Sequence, residues 1–238
     1  MKLTPRLEAV ANLVSDDARI ADIGTDHGYI PVYLIKKNKI KYAIAADVNK
    51  GPLNNAKKEI SLNNLEHRIE LRLGSGLSVL TVGEVDEVVI AGMGGVLISQ
   101  LIETEFEIAK KLDKMILQPM QASAELRRYL HENGFVIEEE ILVKEDFRIY
   151  EIMVVKYDDR EISKEQEKEQ EEEIYYEVGK GLLRNKDCLL LEFIDKKIKE
   201  YYNIIGKLEG KAGEKIESRI YECKSKIQKL EELRNHVH

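Results

Sequence analysis

The chain has no tryptophan, only four prolines and only two cysteines in 238 residues. Two isolated thiols, Cys188 and Cys223, supply neither a disulfide framework nor a ligand set, so each reads as a packing or surface residue. A reducing cytoplasm is the expected compartment. No His, Cys and carboxylate cluster has metal-ligand spacing, so no metal is expected. No apolar run approaches membrane-spanning length and no basic, apolar leader precedes Leu3, so no membrane association is expected. Positive charge is also short: 37 Lys and Arg face 44 Asp and Glu, a net charge of −7. An acidic total opposes broad capture of nucleic acid and leaves only a local basic patch for such a partner. What remains, 43% hydrophobic and 34% charged, is a soluble composition long enough for one good core plus an appendage.

One run organises the rest: Ala18 to Ile30, reading ARIADIGTDHGYI. Arg19 to Ile23 reads as a short buried strand and Tyr29 to Ile35 as a helix, with Pro31 tolerated in its first turn. Between them Gly24 and Gly28 permit positive φ and close backbone approach. Strand, glycine turn and helix aim free N–H groups and a helix N-terminus at a nucleotide-like ligand. The spacing discriminates between such ligands. A dinucleotide fingerprint reads G-x-G-x-x-G, whereas this turn reads Asp22-x-Gly24-x-Asp26-x-Gly28. Its carboxylates repel a pyrophosphate and attract a cation, such as a sulfonium carrying an α-amino group. An ordinary β–turn–α in another α/β domain is the bland alternative.

Upstream, Leu3 to Val14 has helical spacing, with Thr4 as N-cap and Pro5 at the first helical position. Arg6 near its start is either a solvated charge or a contact to a substrate phosphate or base. Downstream, Tyr42 to Asp47 reads as a second strand whose terminal carboxylate follows the first turn by about 20 residues, the position that binds ribose hydroxyls in doubly wound sheets. Gly51-Pro52 starts a helix with Leu53, Ala56 and Ile60 inward. Ile69 to Leu73 alternates as a third strand, and Ser75-Gly76 follows where an adenine ring would lie. Val85 to Ala91 is a β-branched fourth strand running into Gly92-Met93-Gly94-Gly95, a turn that brings backbone close to something. Lys114 to Pro119 is a fifth strand, ending in Gln118-Pro119. Ala122 to Glu132 is a helix stopped by Asn133-Gly134, and the segments 135–137, 141–143 and 149–155 suggest an antiparallel closing hairpin. This alternation predicts an α/β doubly wound sheet, with Asp22 to Gly28, Asp47, Ser75-Gly76, Gly92 to Gly95 and Gln118-Pro119 at its carboxyl edge.

Composition changes near Tyr157. Glu165 to Glu173 is almost uninterrupted charge and reads as a solvated face or linker. Leu191, Ile194, Ile198, Tyr201, Ile205 and Leu208 then recur at helical steps, as do Ile216, Ile220, Cys223, Ile227 and Leu230, with Gly210 and Gly213 between. Two antiparallel helices packing apolar stripes are expected. The expected division is residues 1–157 for the ligand-binding domain and 158–238 for a helical, coiled-coil hairpin. The hairpin would dimerise weakly or grip a large substrate. Lys196, Lys197, Lys199, Lys224, Lys226 and Lys229 suit the second role, although interleaved acids also suit a solvated face.

Taken together, these residues resemble the bacterial tRNA adenine-22 N1-methyltransferase family along the whole chain. The likeness rests on Leu3 to Leu7 with Arg6, Asp22 to Tyr29, Ile90 to Gly95, Leu117 to Pro119 and the charged C-terminal hairpin. Most methyltransferases carry an Asn/Asp-Pro-Pro-aromatic run where this chain has Gly-Met-Gly-Gly. The resemblance implies a Rossmann-like methyltransferase sheet, S-adenosyl-L-methionine as cofactor and tRNA as partner, with the hairpin assisting tRNA binding. It implies cofactor contacts from Asp22, Gly24, Asp26, Gly28, Asp47, Ser75, Gly76 and Gly92. The chemistry of such a transfer makes Asp26, His27, Tyr29 and Arg6 the candidates at the reacting base, each with an alternative: Asp26 holds the cofactor through the turn, His27 packs or orients, Tyr29 belongs to the core, and Arg6 is a solvated charge. Two positions depart from the family pattern. Ser75 stands where an acid is more usual and offers adenine only a neutral bond, and Asp47 is one methylene shorter than the usual Glu. A methyltransferase acting on a small molecule or protein, and a non-catalytic interaction module, are the alternatives.

Overall fold

The computed structural model describes residues 1–158, Arg160 and residues 173–237. They fall into two compact units, Met1–Glu169 and Gln170–His238.

In the first unit, strands β1 (Ile20–Ile23), β2 (Ala43–Asp47), β3 (Ile69–Leu73), β4 (Glu87–Gly94), β5 (Lys114–Gln121), β6 (Phe135–Glu145) and β7 (Arg148–Tyr157) form one sheet in the order β3-β2-β1-β4-β5-β7-β6. The first five are parallel, while β7 runs antiparallel to β5 and to β6. Strand period sorts the core into two layers. Ala21, Ile23, Ile44, Val88, Ile90 and Leu117 face α4 (Gly95–Thr104), α5 (Phe106–Ala109) and α6 (Ser123–Glu132), meeting Ile98, Ile102, Ile108, Leu126 and Leu130. The alternate residues Ile20, Ala43, Ala45, Val89 and Ile116 face α1 (Pro5–Leu13), α2 (Tyr29–Lys36) and α3 (Lys50–Leu62) through Val10, Ile30, Leu34, Ala56 and Ile60. Both faces are covered, which is why the parallel strands read as continuous apolar runs. Strand order reverses between β1 and β4, and the carboxyl edge there opens as a crevice. The closing hairpin is tied to α6 by Arg127, buried between Glu140 (2.7 Å) and Glu151 (2.6 Å).

In this unit the glycine run departs from the sequence expectation. The glycine run after Ala91 is strand rather than turn: β4 continues to Gly94 beside β5, with register shifts on either side of Met93. Gly92, at φ +82°, is the extra residue of this bulge. Helix α4 starts at Gly95, where a Cβ would stand 2.1 Å from the carbonyl oxygen of Ala122, so only glycine lets the β5–α6 loop pass.

The second unit contains α7 (Glu173–Glu177), α8 (Lys180–Asn185), α9 (Leu190–Leu208) and α10 (Glu214–His236). Helices α9 and α10 form the expected antiparallel pair: Asp195 meets Arg234 at 2.6 Å near one end, and Lys226 lies over the Tyr201 ring nearer the loop. The apolar stripe is shifted, since Leu191 is exposed while Leu190 and Phe193 are buried. Helices α7 and α8 were not anticipated, and α7 supplies a buried Glu177 that bonds Lys226 (2.8 Å) and Lys197 (3.4 Å). Burial opposes ionisation of Glu177, but the two ammonium groups and the Tyr201 hydroxyl hold its pKa down to about 2. Those two lysines are therefore core ion partners rather than free cations for a substrate. Residues 165–172 of the charged run lie outside the described residues.

Candidate active site

A cleft of about 400 Å³ opens at the carboxyl edge beside β1, lined by Arg6 and Leu7, by the turn from Asp22 through Ile30, and by Ala91 and Gly92. Its floor begins with Asp22, the last polar residue of β1, which is 6% exposed. Burial pushes its carboxyl up to about 6; a hydrogen bond with the Thr25 hydroxyl opposes the shift, and the nearby charge of Asp47 adds to it. A desolvated carboxylate beside a second carboxylate favours a ligand that brings positive charge.

The turn is held from below. The N–H groups of Gly24 and Thr25 both donate to the Ala46 carbonyl at the end of β2, at 2.8 and 2.9 Å, and Gly28 N–H donates to Thr25 Oγ1 at 3.1 Å. Gly24 and Gly28 take φ values of +79° and +66°, and Gly28 opens α2. The α2 N-terminus thus carries unpaired backbone donors toward the cleft. Met93 Cε stands 2.0 Å from where a Gly24 Cβ would be, so the bulge of β4 packs onto the turn. Asp26 is exposed at the rim, 3.4 Å from His27 Nε2. The His27 ring stacks on Tyr29 with centroids 4.8 Å apart and planes 6° from parallel, giving a two-ring aromatic wall.

On the opposite wall, Arg6 is fixed at the start of α1. Its backbone N–H donates to Glu145 Oε2 (3.0 Å), its Nη1 donates to Gln118 Oε1 (2.6 Å), and its guanidinium lies 5.3 Å from the centre of the Tyr150 ring. Arg6 Nε is buried with no partner among the described residues. Gln118 Oε1 also accepts the Gly92 N–H (3.1 Å).

The cleft therefore brings together Arg6, Asp22, Gly24, Asp26, His27, Gly28, Tyr29 and Gly92. Asp47, Ser75 and Gly76 lie on the same sheet edge but outside this lining. Asp47 is half-buried at the end of β2 and accepts the Asn49 N–H at 2.7 Å. Ser75 is exposed, and Gly76 opens a 3-10 turn at φ +54°. Sequence reasoning missed one member of the framework, Thr25, signalled by a hydroxyl residue three positions before a turn glycine. It placed Gln118 at this edge of the sheet but gave it no role. Among the described residues no group of three His, Cys, Asp or Glu could hold a metal ion.

A doubly wound sheet with an acidic glycine turn at its switch point defines a Rossmann-like methyltransferase, and residues 3–153 match the family model described as a methyltransferase domain. The tRNA (adenine(22)-N(1))-methyltransferase of Bacillus subtilis (strain 168) is 35% identical over 161 residues, covering 68% of each chain. The crystal structure of the B. subtilis M1A22 tRNA methyltransferase TrmK superposes with a TM-score of 0.85, at 29% identity and 98% coverage of both chains. Streptococcus pneumoniae Sp1610, a putative tRNA (m1A22) methyltransferase solved in complex with S-adenosyl-L-methionine, gives 0.83 at 30% identity over the full length of both. The chain belongs to the tRNA (adenine-22-N1)-methyltransferase family.

Proposed function

We propose that the protein transfers a methyl group from S-adenosyl-L-methionine to N1 of adenine 22 in tRNA. The observation that carries this reading is the buried Asp22 carboxyl, raised to about 6 within a glycine turn and facing a cleft at the switch point. The donor set fits the cofactor: carboxylates for an α-amino group and a ribose, backbone N–H groups for a carboxylate, and glycines where a Cβ would intrude. Asp22 and the turn from Gly24 to Gly28, including Asp26, would hold the amino-acid end. Asp47 would accept the ribose hydroxyls, Ser75 and Gly76 would border the adenine, and Gly92 would let the β4 backbone approach. When bound, S-adenosyl-L-methionine supplies an electrophilic methyl group on a sulfonium.

Adenine N1 carries its own lone pair, so the chain needs no nucleophile of its own; it must orient the base in line and exclude water. Because N1 is used in base pairing, the target is unpaired or flipped, and the parallel rings of His27 and Tyr29 offer it a stacking face. Methylation leaves the ring cationic. Asp26, exposed at the rim, stabilises that charge or takes a proton from the exocyclic amine. Arg6 contacts the base or its phosphate from the opposite wall.

On the division expected from the sequence, residues 1–157 hold cofactor and target base, and 158–238 assist tRNA binding as a monomer or weak homodimer. Among the described residues no helix is long and apolar enough to cross a membrane. Calorimetric titration with S-adenosyl-L-methionine, then labelled methyl transfer to unmodified bacterial tRNA, tests the reading. Binding with label on adenine N1 supports it; binding without label refutes the substrate, and absence of binding refutes the site. A chain ending at Asp158 should keep cofactor affinity and lose tRNA methylation; full retained activity would refute the role of 158–238.

A further inference from the structure

We propose that Gln118 is a positioning residue for methyl transfer, acting as a single buried clamp that sets both Arg6 and the Gly92 bulge against the target base. This inference rests on the methyl-transfer reading above and adds to it a residue that does not itself line the cleft.

Gln118 sits near the end of β5 with no exposed surface. Its side-chain oxygen receives two donors from different elements: Arg6 Nη1 from α1 at 2.6 Å, and Gly92 N–H from β4 at 3.1 Å. Both neighbours can only donate, so the oxygen must face them; the amide nitrogen then turns to the Pro119 carbonyl at 2.8 Å. Each polar atom of the amide is thereby used.

The arrangement follows from the bulge. Ala91 pairs with Gln118 and Met93 with Pro119, which leaves Gly92 without a partner residue in β5. Pro119 has no N–H to offer the widened ladder. The Gln118 side chain replaces the missing strand contact, and the same oxygen reaches across to Arg6. Arg6 and Gly92 line the same cleft as the turn from Asp22 to Ile30. Moving either by an ångström changes where a base held against them meets the methyl group.

An isosteric apolar residue removes the clamp, and a carboxylate keeps its acceptor. Gln118→Met should lower kcat for tRNA methylation by about 10- to 100-fold while the affinity for S-adenosyl-L-methionine stays within about twofold. Gln118→Glu should lose less kcat than Gln118→Met, because both donors keep an oxygen although the bond to the Pro119 carbonyl is given up. Arg6→Ala combined with Gln118→Met should lose less than the product of the two single losses, because the part of the Gln118 effect that runs through Arg6 is already gone while the part through Gly92 remains. Hydrogen exchange at the Gly92 amide gives a readout that needs no turnover: protected in wild type and in Gln118→Glu, and exposed in Gln118→Met. Wild-type kcat in Gln118→Met, multiplicative losses in the double variant, equal losses in Gln118→Glu and Gln118→Met, or an unprotected Gly92 amide in wild type overturns the proposal. If wild-type protein binds cofactor but does not label tRNA, the methyl-transfer reading fails instead, and amide protection still decides the clamp.

Discussion

Replacing Asp22 by asparagine separates what this residue does for the fold from what it does for the ligand. Its carboxyl is raised from 3.8 to about 6, chiefly by burial. A raised carboxyl binds its proton more tightly in the folded state, so its stabilising contribution is complete below pH 3.8 and is lost as pH rises through 6. At about 1.4 kcal/mol per unit, the ionised group then costs about 3 kcal/mol at neutral pH. Asparagine keeps an oxygen for Thr25 and carries no charge. Asp22→Asn should therefore match wild type near pH 4 and exceed it by as much as about 3 kcal/mol at pH 7.5 in urea unfolding. The same change removes the anion proposed to meet the cofactor, and should weaken S-adenosyl-L-methionine binding by about 1.5–3 kcal/mol in calorimetry. In the wild type, cofactor affinity should fall as pH drops below about 6, because the proton and the cationic ligand compete for one carboxylate. An asparagine variant less stable than wild type at pH 7.5, or one with unchanged cofactor affinity, refutes the reasoning.

Three further outcomes are expected. Asp47→Ala should weaken cofactor binding by roughly 1.5–3 kcal/mol through a lost charged acceptor. It should scarcely change the unfolding midpoint, since the side chain is half-exposed. Gly95→Ala places a Cβ 2.1 Å from the Ala122 carbonyl oxygen, a backbone atom that cannot swing aside, and should cost about 2 kcal/mol or more in thermal or urea unfolding. Glu177→Gln leaves Lys197 and Lys226 facing a neutral group. The wild-type carboxyl is depressed from 4.5 to about 2, so its contribution holds above pH 4.5 and is lost as pH falls toward 2. The variant should be less stable by about 3 kcal/mol at pH 7, with a gap that closes on acidification; a gap independent of pH contradicts the ion cluster.

The segments legible in sequence were those whose local chemistry agrees with the fold. β1, its acidic turn and α2 announce themselves because a buried strand, two glycines and a tolerated proline are each a local signal. The antiparallel hairpin of β6 and β7 was legible from alternation after Asn133-Gly134. Where distant partners decide the structure, local reading fails. Gly92 to Gly94 reads as a turn, yet β5 and Gln118 supply hydrogen bonds that keep it in the sheet. Helix α4 begins with Val96-Leu97-Ile98, apolar residues that suit a strand as well as a buried helix face. Lys197 and Lys226 read as free cations because their partner, Glu177, lies 20 and 49 residues away. The cleft shows the same division. Asp22, Gly24, Asp26, His27, Gly28 and Tyr29 come from one contiguous run and line it together, whereas its second wall needs α1, β4 and β5 to meet. That meeting depends on the order of strands, which spacing along the chain does not encode.

The most direct test of the account is nucleoside-resolved mapping of methyl label on unmodified bacterial tRNA, beside the same tRNA carrying guanine in place of adenine 22. The account predicts N1-methyladenine at position 22 of the first and no label on the second. Label elsewhere, equal label on both, or none in the presence of bound cofactor would contradict it.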